Sequence, residues 1–348
     1  MTRVIALLGL AGLAGATALV AREGVATVLA AAATAGSGVV WASAFHVVPM
    51  SLNARAWQLL TGRGGRSRRR SLAFFAKLVW VREAVNALLP VARVGGEIAS
   101  ARLMTRDGIR ARVAVASLVV DMTAGLATQV VFTLAGIALL LRRSGGDRLA
   151  GQAVVALGIA AALAACFAAV QRKGLFAMAA AVARFLSGGR LAAIVGGAAP
   201  LDRAVRAVYR HPRRVVACAG WQLAGWAAGA GEVWLALAFL GHPVSVADAL
   251  LIEALVQGAS SVAFAVPGAL GVQEGAFVAL GAAVGLGADT ALALALLRRA
   301  RDLLVFVPGL LVYQAAEGRT WVRRLASSPR GVATRRSDVG GPRWRSSS

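Results

Sequence analysis

The sequence predicts an all-α integral membrane protein, with about six spanning helices plus two oppositely oriented re-entrant helical hairpins in an inverted repeat. Three observations predict it. The 348 residues are 58% hydrophobic and 15% charged, with a mean hydropathy of +0.70, so lipid is the expected solvent for most of the chain. Apolar runs of roughly the 20 residues needed to cross a bilayer recur along it. Two further runs are broken by a proline with a glutamate seven residues on, Pro90 with Glu97 and Pro267 with Glu274.

Taken in order, the expected spans are 4–20, 25–48, 113–141, 149–170, 215–240 and 291–313. Residues 4–20 follow Arg3 and end in small residues, as a secretory signal peptide does. An uncleaved first helix is the preferred reading, and in both cases the next segment starts on the outer side.

The net charge of +23 comes from arginines set in short clusters between apolar runs, not along one soluble face. That pattern excludes nucleic acid as a partner and marks topology instead. Residues 55–70, 172–214 and the chain from 319 are basic and expected to be cytoplasmic, as are both termini. The first irregular region, 71–104, has basic flanks on both sides and enters from inside. The second, 249–287, has flanks with no basic residue except His242 and enters from outside. The stretch RRSGGDR at 142–148 falls outside in this scheme despite its three arginines. The expected organisation is a polytopic membrane domain over 1–318 and a basic, disordered cytoplasmic tail over 319–348.

Opposite entry suggests a duplication. With the two prolines superposed, Val85 meets Val262, Ala92 meets Ala269, Glu97 meets Glu274, Ala99 meets Ala276 and Leu103 meets Leu280. A broken helix inside hydrocarbon frees backbone groups at several kcal/mol each, so such breaks survive only where protein or water covers them. Each break is therefore expected to line a polar cavity. Proline ends the descending half-helix, glycines permit the turn, and the following half-helix presents its positive end near the glutamate.

Ionisable residues at membrane depth are the candidate functional groups. Glu97 and Glu274 each open a half-helix, where a carboxylate also serves as a plain cap. Arg82 and Glu83 are placed to pair along the first arm, with Arg82 more ordinarily an interfacial arginine reaching to water. Arg93 lies in the first turn. Asp121 has no local basic partner and needs one from another helix. Arg298, Arg299 and Arg301 fall within or near the last span, with Asp302 able to neutralise one of them; two of the arginines read alternatively as a helix edge. Glu232 and Glu253 are either proton carriers or partners for these arginines. The three histidines, 46, 211 and 242, lack metal-ligand spacing. Cys166 and Cys218 sit in apolar runs and imply neither a disulfide nor a zinc site. No phosphate loop, nucleophile elbow or zinc-protease motif is present, so no catalytic residue, metal or cofactor is expected, and the chain is read as a non-enzyme.

FAVPGALGVQEGAFVALGAAVGL, with ALLRRARDLL and VPGLLVYQAAEG after it, resembles the second-repeat signature of the flippase-like membrane family that includes the membrane domain of lysylphosphatidylglycerol synthase. REAVNALLPVARVGGE resembles that family's first-repeat signature. With GWAAGAGEVWLALAFLG and LLIEALVQG, the chain is most similar to the family's hopanoid-biosynthesis-associated branch, over roughly residues 42–317. By position, Asn86, Pro90, Gly95, Gly96, Glu97, Pro267, Gly268, Gly271, Gln273, Glu274 and Arg299 fall on the recurrent motif. Met122 departs from it, because many relatives carry a basic residue after the acid that is Asp121 here.

The resemblance implies lipid translocation or transport in a bacterial inner membrane, with membrane lipids, hopanoids or phospholipids, as partners and other lipid-biosynthesis or transport proteins as further ones. Lysyl transfer is not implied, since the synthases carry it on a large cytosolic domain and about 30 tail residues remain here. A scaffold for lipid-biosynthetic enzymes and a lipid-modifying enzyme are the competing readings. With no ATPase motif, the energy source is left among passive equilibration, proton coupling and a partner protein.

Overall fold

The computed structural model describes residues 29–30, 33–61, 70–89, 95–144, 198–262 and 272–326. The expected spans 4–20 and 149–170 lie outside these residues, as do Pro90, Arg93, Pro267, Gly268 and Gly271. Within them every element is a helix, and no strand occurs among the described residues. In chain order they are α1 (Gly38–Phe45), α2 (Val47–Leu60), α3 (Leu72–Leu88), α4 (Gly95–Arg106), α5 (Ala111–Ser144), α6 (Ala198–Tyr209), α7 (Pro212–Phe239), α8 (Val246–Val262), α9 (Val272–Ala283) and α10 (Ala288–Ala326).

Local chemistry sets the boundaries. Ser71 caps α3 by accepting from the Phe74 N–H at 3.3 Å. Leu89, which precedes Pro90, is extended (φ −111°, ψ 145°), because the proline ring disfavours helical geometry in the residue before it. Pro212 starts α7, where its missing N–H costs nothing. The expected span 25–48 divides at His46, and α2 runs on to Leu60 through the first residues of the basic stretch 55–70. Pro49 explains the division, since it has no N–H to give to the carbonyl one turn back in α1. Helix α10 also exceeds expectation: it continues to Ala326, so the first residues of the stretch 319–348 are helical.

The two halves correspond in the register that superposes Pro90 on Pro267. In that register the first and last residues of α4, Gly95 and Arg106, fall on those of α9, Val272 and Ala283, and Ala111 at the start of α5 falls on Ala288 at the start of α10. The turns that close the two hairpins keep it too. Gly108 (φ 86°) and Gly285 (φ 84°) adopt the left-handed conformation, and the next residue donates back, Ile109 N to Met104 O at 3.1 Å and Leu286 N to Gly281 O at 2.8 Å. Packing follows the same correspondence crosswise: α5 lies against α8 and α10 against α3, so each long helix braces the other half's hairpin.

Two apolar cores result. One, around Trp57, Phe75, Val79, Met104 and Leu310, joins α2–α5 to α10; the other, around Leu237, Ile252, Phe277 and Leu297, joins α7–α10 to α1. Outer faces carry exposed Trp41, Val131, Val216, Trp234 and Leu311, as lipid-facing surfaces do. Among the described residues one helix, Ala111–Arg143, is long and apolar enough to cross a membrane by length and composition alone. Helix α10 has the length but carries Arg298, Arg299, Arg301 and Asp302 in its middle, and those charges turn inward.

Candidate functional site: a charged cavity between two hairpins

A cavity of about 420 Å³ takes its wall from the α1–α2 bend and from helices α2–α5 and α7–α10. Helical periodicity places its polar residues. Arg82, Glu83 and Asn86 share one face of α3; Gln222, Gly225, Gly229 and Glu232 form a stripe on α7; Glu253 and Gln257 are one turn apart on α8; Arg298, Arg301 and Asp302 face in from α10.

Three ion-pair groups organise this wall. Arg82 Nη1 meets Asp121 Oδ2 at 2.7 Å, and Asp121, 1% exposed, also accepts from Gln222 Nε2 at 2.9 Å. The Arg82 guanidinium lies 5.1 Å over the Trp57 ring, and the Trp57 indole donates to Ser117. Arg82 is thus a buried partner in the cavity wall and not an interfacial arginine reaching for water. It pairs with Asp121 across two helices, which supplies the partner that Met122 left open.

In the second group Arg298 donates to both Glu253 oxygens, at 2.5 and 2.9 Å, while Gln257 Nε2 donates to Oε1 at 2.8 Å. This fork geometry is the strong form of the carboxylate–guanidinium pair. The third group centres on His46. Its Nδ1 is 2.8 Å from Glu232 Oε2, its Nε2 is 3.8 Å from Glu83 Oε2, and Arg301 bridges Glu232 Oε1 (3.2 Å) and Asp302 (3.3 Å). Arg298 and Arg301 are 8% and 3% exposed, so they do not mark a helix edge.

At the first break the flanking residues are tied across the gap. Asn86 Nδ2 donates to both oxygens of Glu97 at 3.1 Å, and Asn86 Oδ1 accepts from the Gly96 N–H at 2.8 Å. Asn86 therefore staples the end of α3 to the start of α4. Gly96 is required there: a Cβ would overlap the Arg82 carbonyl and lie 2.8 Å from the Asn86 amide. At the second break Arg299 Nε meets Glu274 Oε1 at 3.0 Å. Both glutamates occupy the third position of their helix, where the positive end also favours them.

Of the residues singled out from the sequence, Arg82, Glu83, Asn86, Glu97, Asp121, Glu232, Glu253, Gln273, Arg298, Arg301 and Asp302 line the cavity. Gly95 and Gly96 open α4 beside it, and Glu274 and Arg299 pair at its second break without lining it. Pro90, Arg93, Pro267, Gly268 and Gly271 lie outside the described residues. The sequence reading passed over His46, Asn53, Gln129, Gln222, Trp226 and Gln257, which share the wall. Their signal was present as polar residues at helical spacing with the buried acids: Gln222 precedes Glu232 on α7, and Gln257 follows Glu253 by one turn on α8.

Chemically, the wall is acidic and unsatisfied. Six carboxylates (Glu83, Glu97, Asp121, Glu232, Glu253, Asp302) face three guanidiniums (Arg82, Arg298, Arg301). Asn53 Oδ1 and Trp226 Nε1 are buried without a hydrogen-bond partner, each a deficit of about 1–3 kcal/mol unless a polar group fills the space. Met122 and Leu126 line the cavity and are also 45% and 51% exposed, so it meets the outer apolar surface along α5. Among the described residues no group of histidine, cysteine and acidic side chains has the arrangement of a metal site.

The profile of the family described as "Lysylphosphatidylglycerol synthase TM region" matches residues 4–309. Nothing matches among curated proteins or solved structures. A chain that is helical in its described elements, with charged residues lining an internal cavity and apolar side chains covering its outside, accords with that match, which spans nearly the whole length: it belongs to the lysylphosphatidylglycerol synthase membrane-region family, a family of multi-pass membrane proteins.

Proposed function

We propose that this chain moves lipids between the leaflets of a bacterial inner membrane or towards the outer membrane, with hopanoids as its cargo and polar phospholipids as the next class. One observation carries the reading: a polar cavity with two orphaned hydrogen-bonding atoms is bordered on α5 by the exposed apolar side chains of Met122 and Leu126. A head group would enter there while its apolar body stays in lipid, which removes most of the desolvation barrier. The hydroxyls of a polyol suit this wall, since Asn53, Gln129, Gln257 and Glu97 offer both donors and acceptors.

In this reading the hairpins α3–α4 and α8–α9 are re-entrant and enter from opposite sides, as halves of an inverted repeat. The single register that aligns their elements supports duplication. Both termini are then cytoplasmic. The basic stretch 142–148 is tolerated outside because Arg143 is paired with Asp248 at the start of α8. No chemical change is made to the lipid, so the activity is transport and not catalysis.

Purified chain in proteoliposomes tests this with a fluorescent phospholipid and a hopanoid polyol. Lipid should cross faster with the wild type than with Glu97→Ala/Glu274→Ala, both variants folding alike. Equal rates with wild type, double variant and empty liposomes would reject transport.

A further inference from the structure

This inference rests on the transport reading: one group in the cavity is built to take up a single proton and so to couple lipid movement to a proton gradient. His46 stands at the α1–α2 bend where α3, α7 and α10 converge. The charged groups facing it are Glu83 and Arg82 from α3, Glu232 from α7, and Arg298, Arg301 and Asp302 from α10. Arg82 is held by Asp121 and Arg298 by Glu253. That leaves Glu83, Glu232 and Asp302 against Arg301 alone.

The contacts of the ring fix where its one proton sits. Nδ1 is 2.8 Å from Glu232 Oε2, a carboxylate oxygen that can only accept, so Nδ1–H donates to it. Arg301 Nη1 straddles the two ring nitrogens, 2.5 Å from Nδ1 and 2.9 Å from Nε2. Placed between the two nitrogens, it lies along neither ring lone pair, and with Nδ1 protonated the lone pair on Nε2 is the open one. A second proton must go on Nε2, whose other neighbour is Glu83 Oε2 at 3.8 Å. Glu83 is the most open carboxylate of the group, with its side chain 28% exposed against 6% for Glu232, and it lines the cavity. The proton's route from cavity water is therefore past Glu83.

We propose that His46 and Glu83 form a proton-binding site whose occupancy breaks the Arg301–His46 contact. Protonation forms the Nε2–H bond and puts a second positive charge against Arg301 Nη1. Glu232 goes on holding the ring through Nδ1–H and Arg301 through Nε, but repulsion between two cations this close moves Arg301 Nη1 off the ring and turns Nε2–H to Glu83. Arg301 shares α10 with Arg298, which holds Glu253 of α8, and with Arg299, which holds Glu274 of α9. A proton at His46 thus acts on the helix that grips the second hairpin. A merely structural imidazole, already fixed by Glu232, needs no second carboxylate opposite its other ring nitrogen.

The chain has three histidines, so ring-15N histidine spectra of the full protein in nanodiscs, with His46→Gln for assignment, read the site directly. The His46 signal should pass from neutral to imidazolium between about pH 5 and 8. In Glu83→Gln its midpoint should fall by at least about one unit, a tenfold loss of proton affinity, with His211 and His242 unmoved. In wild-type proteoliposomes a pH gradient should speed movement of the labelled lipids several-fold. A His46 ring neutral across that range, a midpoint indifferent to Glu83→Gln, or lipid that moves at a rate indifferent to the gradient overturns the proposal. If the ring titrates with Glu83 while no lipid moves, the proton site stands and the transport reading falls. If lipid moves while the ring never titrates, the reverse holds.

Discussion

Removing Arg298 tests whether the cavity wall is held by its charges. Glu253 is 1% exposed, and its oxygens receive two bonds from Arg298 and one from Gln257. In Arg298→Met the carboxylate keeps only the Gln257 amide, while the apolar replacement sits over the Phe277 ring that the guanidinium covered at 5.9 Å. Breaking a buried pair from one side costs about 3–5 kcal/mol, because the remaining charge is left desolvated. For a chain of this size that lowers the melting temperature by roughly 4–7 °C, measurable by tryptophan fluorescence in detergent. Adding Glu253→Gln removes the stranded charge, so the double variant should recover at least half of the loss. A single variant within about 1 kcal/mol of wild type, or a double variant as unstable as the single, would refute the assignment of Glu253 and Arg298 as a mutually dependent buried pair.

Other perturbations separate positions that hold structure from positions that do not. Gly96→Ala drives a methyl group into the Arg82 carbonyl and the Asn86 amide and should cost about 2 kcal/mol or more in the same melt. Arg143→Ala removes a pair whose arginine side chain is 46% exposed, and stability should stay within about 1 kcal/mol of wild type. Trp226→Phe deletes an indole N–H that has no partner while keeping a ring to stack on Phe132 at 6.2 Å; stability should not fall. Cys218, 0% exposed and beside Asp121, should resist a maleimide until the chain unfolds, read by mass shift.

The helical class was legible because its signals are local. Pre-proline geometry ends α3 at Leu88, and apolar runs of the right length give α5 and α7. The buried acids were legible as acids in apolar helices. Their partners were not, since pairing is set by which helix faces which: Arg82 has Glu83 beside it in sequence, yet α3 turns its guanidinium to Asp121 on α5. His46 was hidden for the same reason. A lone histidine at a span's end carries no motif, and the bend at Pro49 that aims it at α3, α7 and α10 is visible only in three dimensions.

The correspondence between the halves explains both what the repeat keeps and what it conceals. In the register of the two prolines, Asp121 on α5 falls on Arg298 on α10, and each ties its long helix to the first arm of its own half's hairpin, Asp121 to Arg82 on α3 and Arg298 to Glu253 on α8. The sign is reversed: the first half places the anion on the long helix and the cation on the hairpin, the second half the opposite. Residue identity therefore scores this pair of positions as a mismatch although the physical device is the same. The hairpin-side partners leave the register, since Arg82 falls on Ala259 and not on Glu253, so Glu253 sits further from its break than Arg82 does. Reversal has an electrostatic consequence. Each buried pair is neutral by itself, so neither half needs the other to cancel its charge. The carboxylates left over, Glu83, Glu97, Glu232 and Asp302 against Arg301, then set the net charge of the cavity.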